Sequence, residues 1–334
     1  MERSIPWTSR SRARTSVRSR SAVDPVMSGT LAYRPHRYEH VPIGRGFAMV
    51  HGRLRSFLGS AAVITAAVAS VGVPAPAQTA TENNRYVALG DSYSADSGVF
   101  PLTPGVNPAC LQSARNYPKQ VAAQLGLDLT DVTCGGANVG HMTKAQYKNT
   151  PPQLDALDGT EAVVTIGIGG NDNNLFASAI LMCGAFAPVA VLDKGAPCQQ
   201  AYGDRFDQLV DADAANIGAA LQAIHDRSPD AEVYVVNYPT ITPASGRCFG
   251  KLPLTTGDTA YLHALQVHLN DMLAAQAAAH DATVIDVFSQ SIGHDACKAR
   301  GVRWVEPPLS GQPVHPGLVG ATAQAQIVAA ALSH

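Results

Sequence analysis

Val87-Ala88-Leu89-Gly90-Asp91-Ser92-Tyr93-Ser94 is the stretch on which the reading of this chain turns. A short apolar run ends in glycine, and a serine follows where a strand gives way to a helix. In an α/β protein that is where a nucleophile is presented. The strand is buried, the turn is exposed, and the next helix directs free N–H groups at the site. Gly-Asp-Ser is not the G-x-S-x-G of a nucleophile elbow, and alone it is more often simply a turn. Its meaning depends on what surrounds it.

Working outward, Tyr117 to Leu125 has apolar residues at helical spacing and leads to a second strand near Leu127 to Cys134. Ala162 to Ile168 is a continuous run rich in β-branched residues, the pattern of a strand buried on both faces. Phe206, Leu209, Val210, Ile217, Leu221 and Ile224 mark one long amphipathic helix; Leu262, Leu265, Leu269, Met272 and Leu273 mark another. Strands are expected over Glu232 to Tyr238 and Thr283 to Val287, with a closing helix from about Leu318 to Leu332. Strands alternating with helices predict an α/β fold: a parallel five-stranded sheet with helices on both faces. No repeat or linker divides residues 81–334, which read as one domain.

Residues 1–80 read differently. Arg10, Arg12, Arg14, Arg18 and Arg20 lie in a polar stretch without an apolar period. From Met49 comes a basic flank (Arg53, Arg55), an apolar run from Phe57 to Val73, and then Pro74-Ala75-Pro76-Ala77-Gln78-Thr79-Ala80. That is the pattern of a secretory signal peptide, with cleavage expected after Ala77 or Ala80. Met49 is the better start, and residues 1–48 an upstream extension. A membrane anchor fits less well, because the run is rich in small residues and ends in prolines. Of 24 Lys plus Arg, 11 precede residue 81, against 3 of 26 Asp plus Glu, so the remainder carries 13 against 23, a net of about −10. That sign disfavours a nucleic-acid partner.

All six cysteines, Cys110, Cys134, Cys183, Cys198, Cys248 and Cys297, follow the signal. An even number in an exported chain points to three disulfides, with fifteen connectivities open. Sequential pairing closes the shortest loops, and each bridge then contributes about 3–4 kcal/mol on the loop-entropy account. No Cys-x-x-Cys and no histidine pair at ligand spacing supports a metal site.

Three glycine-rich turns, at Ser92, Gly136 and Asn171, follow strands. In an open parallel sheet such strand ends share one crevice. The inventory suits acyl transfer: Ser92 to attack, and its N–H, the Gly136 N–H and the Asn171 side-chain amide to bond a developing oxyanion. One such donor is worth about 3 kcal/mol in the transition state. Serine needs a base. Of eight histidines after residue 80, His225, His263, His268 and His280 fall on or at the ends of helices; His141 and His294 are loop candidates, and His334 is the last residue. His315, in Gln312-Pro313-Val314-His315-Pro316-Gly317 just before the final helix, is the strongest candidate, against a bland loop histidine.

Gly90-Asp91-Ser92-Tyr93-Ser94, Gly136, Gly169-Gly170-Asn171-Asp172 and His315-Pro316, in that order, resemble the four-block signature of the SGNH (GDSL-type) hydrolases. The blocks span nearly all of residues 81–334, and the third is more specific than the first. The likeness is closest to secreted bacterial SGNH lipases and esterases with three disulfides, which supports the sequential pairing. It implies a flavodoxin-like three-layer α/β/α sandwich, Ser92 as nucleophile, His315 as base, and the Ser92 N–H, Gly136 and Asn171 as oxyanion hole. No metal or organic cofactor is implied, and a monomer is expected.

One departure matters. The family usually has aspartate three residues before the histidine, where this chain has Gln312. The imidazole still needs an acceptor for its second N–H. A backbone carbonyl keeps the right tautomer and gives up only the charge, so the Gln312 main-chain oxygen is expected there, with Glu306 or Asp295 as reserve acids. Asp91 and Asp172 read as turn-formers or supporting acceptors.

For substrate, Leu175, Phe176, Ile180, Leu181, Met182, Phe186 and Val189 directly follow the asparagine. They either line an acyl-chain groove or pack a helix onto the sheet. The first reading favours a lipid-type ester, with contact at a lipid interface. Phospholipase A-type hydrolysis and carbohydrate O-deacetylation are the alternatives within the family, and a non-catalytic secreted binding module is the alternative outside it. Four intact signature blocks argue against the last.

Overall fold

A computed structural model of the chain describes residues 83–333. The expectations for the signal peptide, the start at Met49 and the basic tract lie outside these residues. The strands are β1 (Arg85–Gly90), β2 (Asp128–Asp131), β3 (Val163–Gly167), β4 (Glu232–Val236) and β5 (Thr283–Ile285). The helices are α1 (Tyr117–Leu125), α2 (Leu175–Gly184), α3 (Ala187–Ala190), α4 (Pro197–Tyr202), α5 (Arg205–Arg227), α6 (Thr256–Ala279), α7 (Val287–Gln290) and α8 (Leu318–Leu332). All strand pairs are parallel and the order is β2-β1-β3-β4-β5. This is the expected flavodoxin-like α/β fold, with its topological switch at β1 and β3.

Side-chain alternation along β1 builds two cores. Tyr86 and Ala88 face a cluster with Tyr117 and Val121 of α1 and Ala325 and Val328 of α8. Val87 and Leu89 face the other side, with Ile217 and Leu221 of α5 and Leu269 and Leu273 of α6. Residues from Tyr86 to Ser92 are buried throughout, which is why that run carries almost no polar side chains until the turn.

The strands after β1 are shorter than the stretches expected from the sequence, β3 by one residue at each end and β5 by its last two residues. β2 is an edge strand, half exposed, and stops at Asp131. β4 stops at Val236 because Tyr238 leaves the ladder for a side chain. Its N–H donates to Asn270 Oδ1 (3.0 Å), and its carbonyl accepts from Asn270 Nδ2 (3.0 Å). Both helices flagged by their apolar spacing extend beyond those residues, to 23 residues in α5 and 24 in α6.

The disulfides are Cys110–Cys134, Cys183–Cys198 and Cys248–Cys297, the sequential pairing. The first ties the loop after β1 to the turn after β2. Gly135 next to it donates its N–H to the Cys110 carbonyl at 2.7 Å.

Candidate active site

The turn after β1 needs glycine at its first position. Gly90 has φ +144°, and a Cβ there would lie 2.6 Å from the Gly167 carbonyl oxygen and 2.5 Å from Ser94 Oγ. Its peptide is held from the β2–β3 connection by Gln153, whose Oε1 accepts from Gly90 N–H (2.7 Å) and whose Nε2 donates to the Gly90 carbonyl (2.9 Å). Ser92 therefore sits on a turn fixed from both sides.

Ser92 Oγ lies 2.8 Å from His315 Nε2. The other ring nitrogen, Nδ1, lies 2.7 Å from a main-chain oxygen. That oxygen belongs to Pro313, so the Gln312 expectation is corrected by one residue. The Gln312 carbonyl accepts the N–H of His315 (3.2 Å) and closes a turn over residues 312–315, which removes it from reach of the ring. Pro313 at the second place of that turn has its φ set by the ring, and Val314 at the third has φ +58°, the signature of a type II turn. The Gln312 side chain instead donates to the Gly98 carbonyl (2.6 Å). With Nδ1–H donating to Pro313, Nε2 carries the lone pair that faces the serine hydroxyl.

Neither reserve acid touches the ring. Glu306 accepts from Arg303 Nε (2.8 Å), and Asp295 accepts from Cys297 N–H (2.9 Å). The loop histidines are engaged elsewhere, His141 Nδ1 with the Asn138 N–H and His294 Nδ1 with the Val302 carbonyl.

Ser92, Gly136, Asn171 and His315 line one open cleft of ≈ 430 Å³, together with Gly98, Leu111, Gln312 and Pro313. Gly136 has φ +74°, and a Cβ there would meet only Gln146 Nε2, in ordinary contact at 3.7 Å, so conformation is what requires glycine there. The N–H groups of Ser92 and Gly136 have no protein acceptor among the described residues. Asn171 Nδ2 donates to the Ala137 carbonyl at 2.9 Å and lies 3.5 Å from Asp91 Oδ2.

Beneath the cleft lies a polar network that the sequence did not reveal. Tyr238 donates its hydroxyl to Asp91 Oδ2 (2.6 Å) and accepts the Gly170 N–H (2.8 Å), and Asp91 Oδ1 accepts the Tyr93 N–H (2.8 Å). The first and third glycine turns are thereby cross-linked. Burial pushes the Asp91 carboxyl up to about 7, against the lowering effect of the Tyr238 hydroxyl. Asp172, which accepts the Val139 N–H, is pushed to about 7 by burial and by the nearby Asp213. Both aspartates act as supporting acceptors, as expected. Burial lowers the His315 pKa below the usual imidazole range, partly offset by the Pro313 carbonyl.

An apolar cavity lies beside the cleft, lined by Leu175, Phe176, Ala179, Ile180, Leu262 and Val314 among others. The apolar segment after Asn171, α2 with the start of α3, therefore divides its roles. Leu175, Phe176 and Ile180 line the cavity, Met182 and Phe186 pack on the core, and Leu181 and Val189 face outward.

With this geometry established, the profile of the GDSL-like Lipase/Acylhydrolase family matches residues 88–323. The chain belongs to that family. It is 47% identical over 275 residues to Lipase 2 of Streptomyces coelicolor, covering 77% of this chain and 92% of that one. The crystal structure of an extracellular lipase from Streptomyces rimosus matches with a TM-score of 0.63 at 25% identity, covering 75% of this chain and 100% of that one. Phospholipase A1 from Streptomyces albidoflavus shares the fold, with a TM-score of 0.62 at 24% identity and the same coverage. As a member of this family, the chain is an ester hydrolase. Three serviceable residues had escaped the sequence reading: Tyr93, Tyr238 and Pro313. Tyr93 stands in the first signature block with no role attached, and Pro313 lies two places before a histidine in a turn-forming string; Tyr238 is only the last residue of an expected strand.

Proposed function

We propose that this is a secreted hydrolase of lipid-type acyl esters that works through a Ser92–His315 dyad. The observation that carries the reading is the 2.8 Å contact of Ser92 Oγ with His315 Nε2, with Nδ1 committed to the Pro313 carbonyl. Ser92 attacks the ester carbonyl while His315 Nε2 accepts its proton. The tetrahedral oxyanion is held by the unpartnered N–H groups of Ser92 and Gly136 and by the second N–H of the Asn171 amide, which exchanges its long 3.5 Å contact with Asp91 Oδ2 for the oxyanion. Collapse expels the alcohol, which takes the proton from His315. Water then attacks the acyl carbon as the same nitrogen takes its proton, and collapse breaks the bond to Ser92 Oγ, which receives that proton from His315 as the acid leaves. The Pro313 carbonyl does for the ring what an aspartate does elsewhere, fixing tautomer and orientation.

The apolar cavity along α2 favours an acyl chain over a sugar. Exposed Leu181 and Leu309 favour contact with an aggregated substrate, Leu309 following Pro308, which lines a second apolar cavity shared with Ile180. Three formed disulfides and the signal pattern of the sequence support export. The test pairs a fluorophosphonate probe with a chain-length series of p-nitrophenyl esters and emulsified triglyceride. Labelling at Ser92 that is lost in Ser92→Ala, with rates rising from acetate to longer acyl chains, is the expected result. Unlabelled Ser92 in folded protein would overturn the mechanism; a preference for acetate would overturn the lipid assignment.

A further inference from the structure

We infer that Tyr93 is a positioning residue that latches the histidine turn onto the nucleophile turn by holding Val314 in a conformation valine disfavours. The inference rests on the Ser92–His315 reading above. Val314 has φ +58°, in the left-handed region. For a β-branched residue that is a genuine outlier, and the third place of a type II turn ordinarily takes glycine or asparagine. Such a residue persists only where its surroundings over-determine it.

The surroundings are visible. Val314 N–H donates to the Glu306 carbonyl (3.0 Å), and Glu306 N–H donates to the His315 carbonyl (2.9 Å). Those two bonds join the turn to its own neighbouring segment. The tie that reaches the nucleophile is different: the Tyr93 hydroxyl donates to the Val314 carbonyl at 2.5 Å across 221 positions of sequence. Tyr93 directly follows Ser92, and its ring lies 5.3 Å from the His315 ring, centroid to centroid, at 33°. Its N–H is fixed on Asp91. Burial keeps the phenol protonated, so it stays a donor at all working pH.

Return of Val314 to a negative φ rotates the peptide between residues 313 and 314 and swings the Pro313 oxygen off Nδ1. The ring then loses its orienting acceptor and its aim at Ser92. The Val314 side chain also lines the apolar cavities on the α2 side, so the latch sets the cavity wall and the imidazole together.

The test is a double-mutant cycle on folded, disulfide-bonded enzyme with p-nitrophenyl acetate, whose short acyl group makes little use of the cavity. Ser92→Ala serves as baseline. Tyr93→Phe is expected to lower kcat about 10- to 100-fold, with KM within about twofold, as for a misaimed catalytic group. Glycine adopts the left-handed region freely, so in a Val314→Gly background the same Tyr93→Phe change is expected to cost at least about fivefold less, the signature of coupled residues. A smaller loss of kcat, a loss carried by KM, or weaker coupling than this overturns the latch. If Tyr93→Phe does not fold, Val314→Gly must restore folded double mutant; failure to do so, with Val314→Gly itself folded, also overturns it. Should the glycine variant not fold, Val314→Asn takes its place, since asparagine also tolerates the left-handed region. Wild-type activity with a silent Ser92→Ala leaves only the latch at stake, whereas full activity of Ser92→Ala would sink the dyad instead.

Discussion

Tyr238→Phe removes one oxygen atom and unpairs two buried groups. The Gly170 N–H loses its acceptor at 2.8 Å and Asp91 Oδ2 loses its donor at 2.6 Å. An orphaned buried N–H costs about 1–3 kcal/mol, and a lost hydrogen bond to a charged group about 1.5–3 kcal/mol. The second cost depends on whether Asp91 is ionised. Its folded pKa is about 7, raised by burial and held from rising further by the Tyr238 hydroxyl. Between the ordinary carboxylate range and that value the folded state binds the proton and the unfolded state does not, so this group's contribution to stability declines as pH rises through the window. Loss of the hydroxyl moves the folded pKa higher and extends the window upward. The expected destabilisation is therefore about 2 kcal/mol at pH 6 and about 3–4 kcal/mol at pH 8. Urea unfolding of both proteins at the two pH values, disulfides intact, measures it. Because Gly170 precedes Asn171, kcat should fall alongside, by about tenfold. Equal stability of the two proteins at pH 6, or a difference that shrinks at pH 8, would refute the network.

Three further outcomes are expected. The acid limb of kcat/KM should have its midpoint below the ordinary imidazole value, because burial lowers the His315 pKa and the neutral ring is the active form; a pH–rate profile with a midpoint above that value would contradict it. Gln312→Ala keeps the peptide that closes the turn and loses only the side-chain bond to Gly98, so activity should fall less than about tenfold, given about 1 kcal/mol for one such bond; steady-state kinetics beside Ser92→Ala decide it. Replacing Cys110 and Cys134 together by alanine should lower unfolding free energy by about 3 kcal/mol, and should lower kcat as well, because Gly135 and Gly136 follow the bridge; chemical denaturation and ester turnover report the two effects.

The parts legible in the sequence are those fixed by short-range chemistry. The buried strands β1 and β3 appear as short runs that are apolar apart from Arg85 and the β-branched Thr165, and each glycine turn follows a strand. Strand ends at the sheet's carboxyl edge must share a crevice, so the sequence alone brings Ser92, Gly136 and Asn171 together. What the sequence withheld depends on side chains reaching across the sheet. Tyr238 reads as one more aromatic at the end of β4, and nothing local says that its hydroxyl bridges Asp91 and Gly170. Tyr93 reads as a turn residue until its partner, the Val314 carbonyl, is seen. For the His315 acceptor the sequence points to the right kind of group at the wrong position, because a pattern of residue types does not tell which carbonyl a turn consumes.

The Pro313 carbonyl beside the imidazole has a consequence for how such a site can change. A carboxylate in that place is open to loss by a single codon substitution and to neutralisation by acid; a peptide oxygen is open to neither. Selection can therefore vary the side chains at residues 312 and 313 while the orienting acceptor persists, so long as the loop keeps its path. In the proposed dyad, the histidine half depends on backbone shape rather than on residue identity.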